Sequence, residues 1–143
     1  MNKVFSFSVF ILLSICSFAQ GTLTDSLTKK FNFAWNAEDI PAMFSMLQPT
    51  AFFKSPYQLR YGRDTMAATV LTTNPPAFKF IETIELYSHA ENYLAWSIGE
   101  FTCEIYDDEG NKTDALLYGT YTYVFTRKED EDWKLQMMIA HEE

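Results

Sequence analysis

The chain has 143 residues, 17% of them aromatic, and carries 19 acidic against 11 basic side chains for a formal net charge of -8. That length suits a single domain. The acidic balance excludes nucleic acid and anionic membrane as natural partners, because both need a basic face.

The N-terminus opens with Lys3, an apolar and small-residue run from Val4 to Ile15, and then Ser17, Phe18 and Ala19. This is the pattern of a secretory signal peptide over 1–19, with cleavage expected after Ala19. The run is too short for a bilayer span, which takes about 20 residues, so no stable membrane insertion is expected once the leader is cut. A lipid anchor at Cys16 would put the bulky Ile15 where a small residue is needed. The expectation is export, to the periplasm or beyond, of one domain over 20–143. Losing Lys3 with the leader takes the 11 basic residues to 10 against 19 acidic ones, net -9. Cys103 then stands alone, so no intramolecular disulfide can form, and without a neighbouring Lys, Arg or His it reads as a small buried hydrophobe.

From Thr22 onward, Leu23, Leu27, Phe31, Ala34 and Trp35 recur at spacings of three and four. That is the stripe of an amphipathic helix, which Thr22 or Thr24 can cap and Asn36 ends. Asp39, Ile40 and Pro41 then supply an N-cap with proline in the first turn, and Ile40, Met43, Phe44 and Leu47 share a face until Pro49 stops this second helix. Residues 51–54 and 57–61 read as a hairpin around Ser55 and Pro56. Gly62, Arg63 and Asp64 start a third helix with Met66, Ala67, Val70 and Leu71 on its face, ended by Asn74, Pro75 and Pro76.

Beyond that point the period changes. Residues 78–87, 93–106, 114–127 and 133–141 are rich in aromatic and branched side chains, with turns at His89–Asn92, Asp107–Lys112 and Lys128–Asp132. The charged runs DDEGN and KEDED are solvated hairpin tips, since neither has the ligand pattern of a calcium loop. Helices followed by strands predict an α+β domain: a cone-shaped, curved antiparallel or mixed sheet covered by the three N-terminal helices. Strands of this length must twist, and a curled sheet leaves a wide end able to hold a ligand.

The segments FAWNAEDIPAMFSML, YGRDTM, YGTYTYVFTR and DWKL, in that order over 22–141, resemble the nuclear transport factor 2-like superfamily and in particular its SnoaL-like branch. The resemblance implies a cone-shaped barrel, dimers through the outer sheet face and a deep pocket. It implies no single activity, because isomerases, cyclases, dehydratases, epoxide hydrolases and simple binders share the fold. The steroid-isomerase residues do not carry over. The helix-one tyrosine falls on Phe31, which has no donor; the general-base aspartate before a proline falls on Ser55 before Pro56; the third acid falls near Tyr121 to Tyr123. A lone serine hydroxyl cannot take a proton from beside a carbonyl at neutral pH. Where other members carry histidines in the last strand, this chain reads WKLQMMIAHEE, with Met137, Met138 and Ile139 making an apolar strand end before His141.

The remaining chemical candidates are sparse. His89 reads as a turn residue and His141 as a chain-end residue, and the two lie too far apart for a metal site, so neither metal nor cofactor is expected. No G-x-S-x-G elbow is present. Glu82, Glu85, Glu100 and Glu104 lie inside strands, and whichever points inward is the acid-base candidate. Arg63 and Asp64 read as helix-start residues, and Asn111–Thr113, a glycosylation sequon, as a hairpin turn. The expected function is binding of a small apolar or aromatic molecule by an exported homodimer. Its pocket would be lined by Phe31, Trp35, Phe53, Ser55, Tyr57, Phe101, Tyr121, Tyr123 and Met138. The alternatives are an isomerase, cyclase or dehydratase using an inward glutamate or His141, and an assembly module with a filled core.

Overall fold

The structure is a computed structural model describing residues 23–55, 59–72 and 77–143. The expected signal peptide, Tyr57 and the Asn74–Pro76 stop lie outside the described residues. Residues 23–36 form helix α1, which buries Phe31, Ala34 and Trp35 as its spacing predicts. The helix ends in a Schellman pattern: the Glu38 N–H bonds to the Trp35 carbonyl and the Asp39 N–H to the Ala34 carbonyl, each at 3.0 Å. Glu38 takes the left-handed position at φ 55°. Asp39 then caps helix α2 (Ile40–Met46), its carboxylate accepting the Ala42 N–H at 3.0 Å. One tight hinge therefore turns the chain from α1 into α2.

Pro49 does not stop α2. The helix ends at Met46, and Leu47 already opens strand β1 (Leu47–Lys54). The proline sits where β1 loses register with its neighbour between Leu47 and Phe52, so its missing N–H interrupts no ladder bond. Strand β2 (Leu59–Tyr61) returns antiparallel to β1, pairing Phe52 with Tyr61 and Lys54 with Leu59. Gly62, at φ 85°, makes the turn that L side chains resist, and helix α3 (Arg63–Thr72) follows. Met66 is buried, and the Arg63 guanidinium lies 3.9 Å over the Phe44 ring of α2.

Four long strands complete the domain: β3 (Phe78–Ala90), β4 (Leu94–Tyr106), β5 (Lys112–Thr126) and β6 (Lys134–Glu142). Their sheet runs β2-β1-β6-β5-β4-β3, with β1 and β6 parallel and every other neighbour antiparallel. This is the α+β cone with a mixed sheet. His89 belongs to β3, opposite Trp96, rather than to the turn expected there.

Alternation along β4 buries Ala95, Ser97, Gly99, Phe101 and Cys103 and turns Trp96, Ile98, Glu100 and Glu104 outward. Strand β3 does not alternate simply, because register shifts at Phe80/Glu82 and at Glu85/Tyr87 each change its parity. The inward residues are consequently Phe80, Thr83, Glu85, Ser88 and Ala90, which pair with Cys103, Phe101, Gly99, Ser97 and Ala95. Two glycines face aromatics directly across β4 and β5, Gly99 with Tyr121 and Gly119 with Phe101. A Cβ on Gly99 would overlap the Ile84 carbonyl oxygen and stand 2.6 Å from the Tyr121 hydroxyl. Absent side chains at these points let the rings lie across the sheet and let it curl.

Helix α1 docks on the edge strand β3 through its last turn. The Asn36 side chain donates to the Phe80 carbonyl at 2.7 Å and accepts the Phe80 N–H at 2.8 Å, acting as a short stand-in for a missing strand. Trp35 stacks on Phe78 with ring centroids 5.3 Å apart.

Candidate functional site

Helix α1 buries more than its apolar stripe. Thr24, Thr28 and Asn32, four residues apart, are buried as well, so a polar line one face-width from Phe31 and Trp35 is pressed against the sheet. The sheet answers with polar groups. Thr28 Oγ1 lies 3.5 Å from Ser97 Oγ, and the Tyr123 hydroxyl donates to Asn32 Oδ1 at 2.8 Å.

Register arranges these groups in two rows across the inner face. One row runs Glu85, Gly99, Tyr121, Ala140; the next runs Ser88, Ser97, Tyr123, Met138, Phe53. Glu85 is therefore the inward carboxylate of the four acids. Its Oε2 is buried and accepts no hydrogen bond, and Asn32 Nδ2 is a buried donor in the same condition. Such groups cost of order 1–3 kcal/mol each when left unmet.

The hydroxyls here stay protonated. Burial foremost, then the Glu85 carboxylate, with Asp25 adding to it, pushes Tyr121 up to about 12 against the opposing pull of the nearby Ser97 hydroxyl. Burial holds Tyr123 well above the ordinary tyrosine range and pushes the Cys103 thiol up to about 12. Cys103 is thus an inert part of the core. The arrangement can accept a hydrogen bond at Glu85 and donate one from Tyr121, with aromatic rings around both.

Of the residues expected to line the pocket, Phe31, Trp35, Phe53, Phe101, Tyr121, Tyr123 and Met138 are buried on the inner side. Phe31 meets Tyr123 edge-on at 6.1 Å, and Tyr121 and Tyr123 lie 4.9 Å apart. Ser55 is half-buried just beyond Lys54, on the parity of the inward Ala51 and Phe53. Tyr57 lies outside the described residues.

His141 does not enter the cone. It is exposed and pairs with Thr120, whose parity is opposite to that of inward Tyr121. His89 bonds Glu91 at 3.1 Å and packs near Trp96 on the outer face. Glu82 and Glu100 are exposed on the same face, and Glu104 pairs there with Lys112 and accepts from Tyr106 at 2.9 Å. No group of three or more His, Cys, Asp or Glu is gathered for a metal among the described residues.

Recesses among the described residues include a cleft of about 170 Å³ bordered by Glu82, Glu100, Tyr118 and Glu143, and a niche of about 20 Å³ between Leu27, Phe31, Trp133 and Leu135. Sequence reading took Thr24 only as a helix cap, although it lies inside α1 and is buried, and it missed Thr28, Asn32 and Ser97. The four-residue spacing of small polar side chains beside the apolar stripe was the available signal for the three on α1.

No protein-family model matches the sequence, and no curated protein matches it. Solved structures do. An NTF2-like superfamily protein from Salmonella enterica serovar Typhimurium LT2 superposes with TM-score 0.69 at 13% identity, covering 87% of this chain and 91% of its own. An NTF-2 like protein from Shewanella oneidensis MR-1 gives 0.60 at 20% identity over 81% and 93%. A ketosteroid isomerase-like protein from Erwinia carotovora atroseptica gives 0.65 at 13% identity over 85% and 94%. With three helices laid over a curled sheet of order β2-β1-β6-β5-β4-β3, this chain has the nuclear transport factor 2-like fold.

Proposed function

We propose that the chain is an exported SnoaL-like domain that binds a small, largely apolar molecule inside the cone, as a homodimer. The observation that carries this reading is the inward polar cluster of Glu85, Tyr121, Ser97 and Thr28, set among Phe31, Trp35, Phe101 and Tyr123. A core built for packing alone gains nothing from a buried carboxylate oxygen without a partner, whereas a ligand site combines apolar walls with a few converging polar groups. Support for the dimer is the outer face of β3, β4 and β5, where Ile84, Tyr87, Ile98, Leu116 and Tyr118 are exposed together. Export rests on the signal-peptide pattern at 1–19.

The inward position of Glu85 also favours a second reading, in which the bound molecule is a substrate. There Glu85 takes a proton and the Tyr121 hydroxyl donates to the oxygen that gains charge. The likeness to a ketosteroid isomerase-like protein accords with such chemistry, although Ser55 stands where that machinery has its base.

Native mass spectrometry of the full chain expressed in and purified from a bacterial periplasm tests the leading reading. A twofold mass with a co-purifying apolar molecule per chain is the expected result. Bare protein that also fails to take up added toluene would overturn it in favour of an assembly module.

A further inference from the structure

We infer that the polar end of the cone recognises an ammonium head: the ligand is an apolar amine whose nitrogen bonds Glu85 Oε2 beside the Tyr121 hydroxyl. This rests on the pocket reading above and names its ligand class. Glu85 Oε2 is buried without a hydrogen bond, so no donor of the protein reaches this oxygen. A neutral donor would meet the hydrogen-bonding need alone; a cation also answers the charge of the carboxylate.

The protein supplies no such cation itself. Among the described residues no Lys, Arg or His is buried as a whole side chain, and Arg63, whose Nε is buried, is placed over the Phe44 ring of α2 instead. Asp25, on α1, adds a second negative charge felt at the Tyr121 hydroxyl. Asp25 is itself paired with Lys29 at 2.8 Å, which leaves Glu85 as the main negative charge at this end of the cone, in a chain of net charge -8. Phe31, Tyr121, Tyr123 and Phe101 are buried on the same inner side, and aromatic faces favour a cation over an anion of equal size. A carboxylate ligand would meet like charge at Glu85 and is rejected.

The test is titration of the full chain with 2-phenylethylamine, 2-phenylethanol and phenylacetate, which share a ring and differ in head group, and with toluene, which has none. Calorimetry gives the Kd values at pH 7. Expected is an amine Kd at least tenfold below that of the alcohol, with phenylacetate weakest. Glu85→Gln should bring amine and alcohol within about twofold of each other. Glu85→Asp, which keeps the charge, should retain the preference in reduced form. Equal binding of amine and alcohol by the unaltered protein overturns the inference, whatever the variants do, and so does an amine preference that survives in a folded Glu85→Gln. Toluene binding alongside that failure leaves the pocket reading intact; no binding of any of the four removes both.

Discussion

Replacing Gly99 with alanine tests whether the curl of the sheet depends on a missing side chain. The added Cβ would overlap the Ile84 carbonyl oxygen, stand 2.6 Å from the Tyr121 hydroxyl and 2.7 Å from its Cε1. Carbon atoms in contact settle at about 3.5–4.0 Å, so both the ring and the β3 backbone must retreat by roughly 1 Å. The ring displacement is an overpacking cost of about 1–3 kcal/mol. Moving Ile84 away from β4 weakens one or two ladder bonds at about 1 kcal/mol each. Against this, alanine restricts the unfolded chain and returns about 0.5–1 kcal/mol. The net expectation is a loss of about 2–4 kcal/mol, a large share of the 5–15 kcal/mol typical of a domain. Urea denaturation followed by tryptophan fluorescence reads it, with an unchanged m-value showing that only stability has moved. A loss below about 1 kcal/mol would refute the reasoning, because strand and ring would then be free to yield. Gly119→Ala, which places a Cβ over the His141 carbonyl oxygen and 2.7 Å from Phe101 Cζ, should behave alike.

Alkaline pH should destabilise the fold early. Cys103 and Tyr121 have ordinary values of 9.0 and 10.0 and are pushed up to about 12 by burial, so above pH 9 the unfolded chain releases protons that the native state keeps. Stability is therefore complete below pH 9 and falls as pH rises towards 12, by about 1.4 kcal/mol per pH unit for each group past its unfolded value. Denaturation midpoints measured from pH 8 to 11 check this, and Cys103→Ala should flatten the slope between pH 9 and 10; an unchanged slope would contradict it. Asn36→Ala strips the Phe80 N–H and carbonyl of their partners at 2.8 and 2.7 Å and should cost about 1–3 kcal/mol, with faster hydrogen exchange at the Phe80 amide as the local readout. Exchange unchanged at Phe80 would show that α1 does not hold this edge.

Local rules made much of the architecture legible in advance. The stripe Leu27, Phe31, Ala34, Trp35 places α1, Asp39 with Pro41 begins α2, and Gly62 turns the chain into α3, because capping, proline geometry and glycine freedom act within a few residues. The candidate site was less legible. From Phe80, strict alternation would turn Glu82 and Ile84 inward; the shift at Phe80/Glu82 brings in Thr83 and Glu85 instead, and a second shift restores Ser88 and Ala90.

The amino-acid sequence by itself determined three helices, the hairpin turns, long aromatic strands and an acidic exterior, since each follows from periodicity, turn chemistry or charge read within one segment. Tertiary structure alone decided which carboxylate faces inward, that β1 lies parallel to β6, and that Thr24, Thr28 and Asn32 are buried opposite Ser97, Tyr121 and Tyr123. Those outcomes depend on strand register and on which helix face meets the sheet. A one-residue bulge reverses the facing of everything beyond it, and no local pattern in β3 records where the bulge falls.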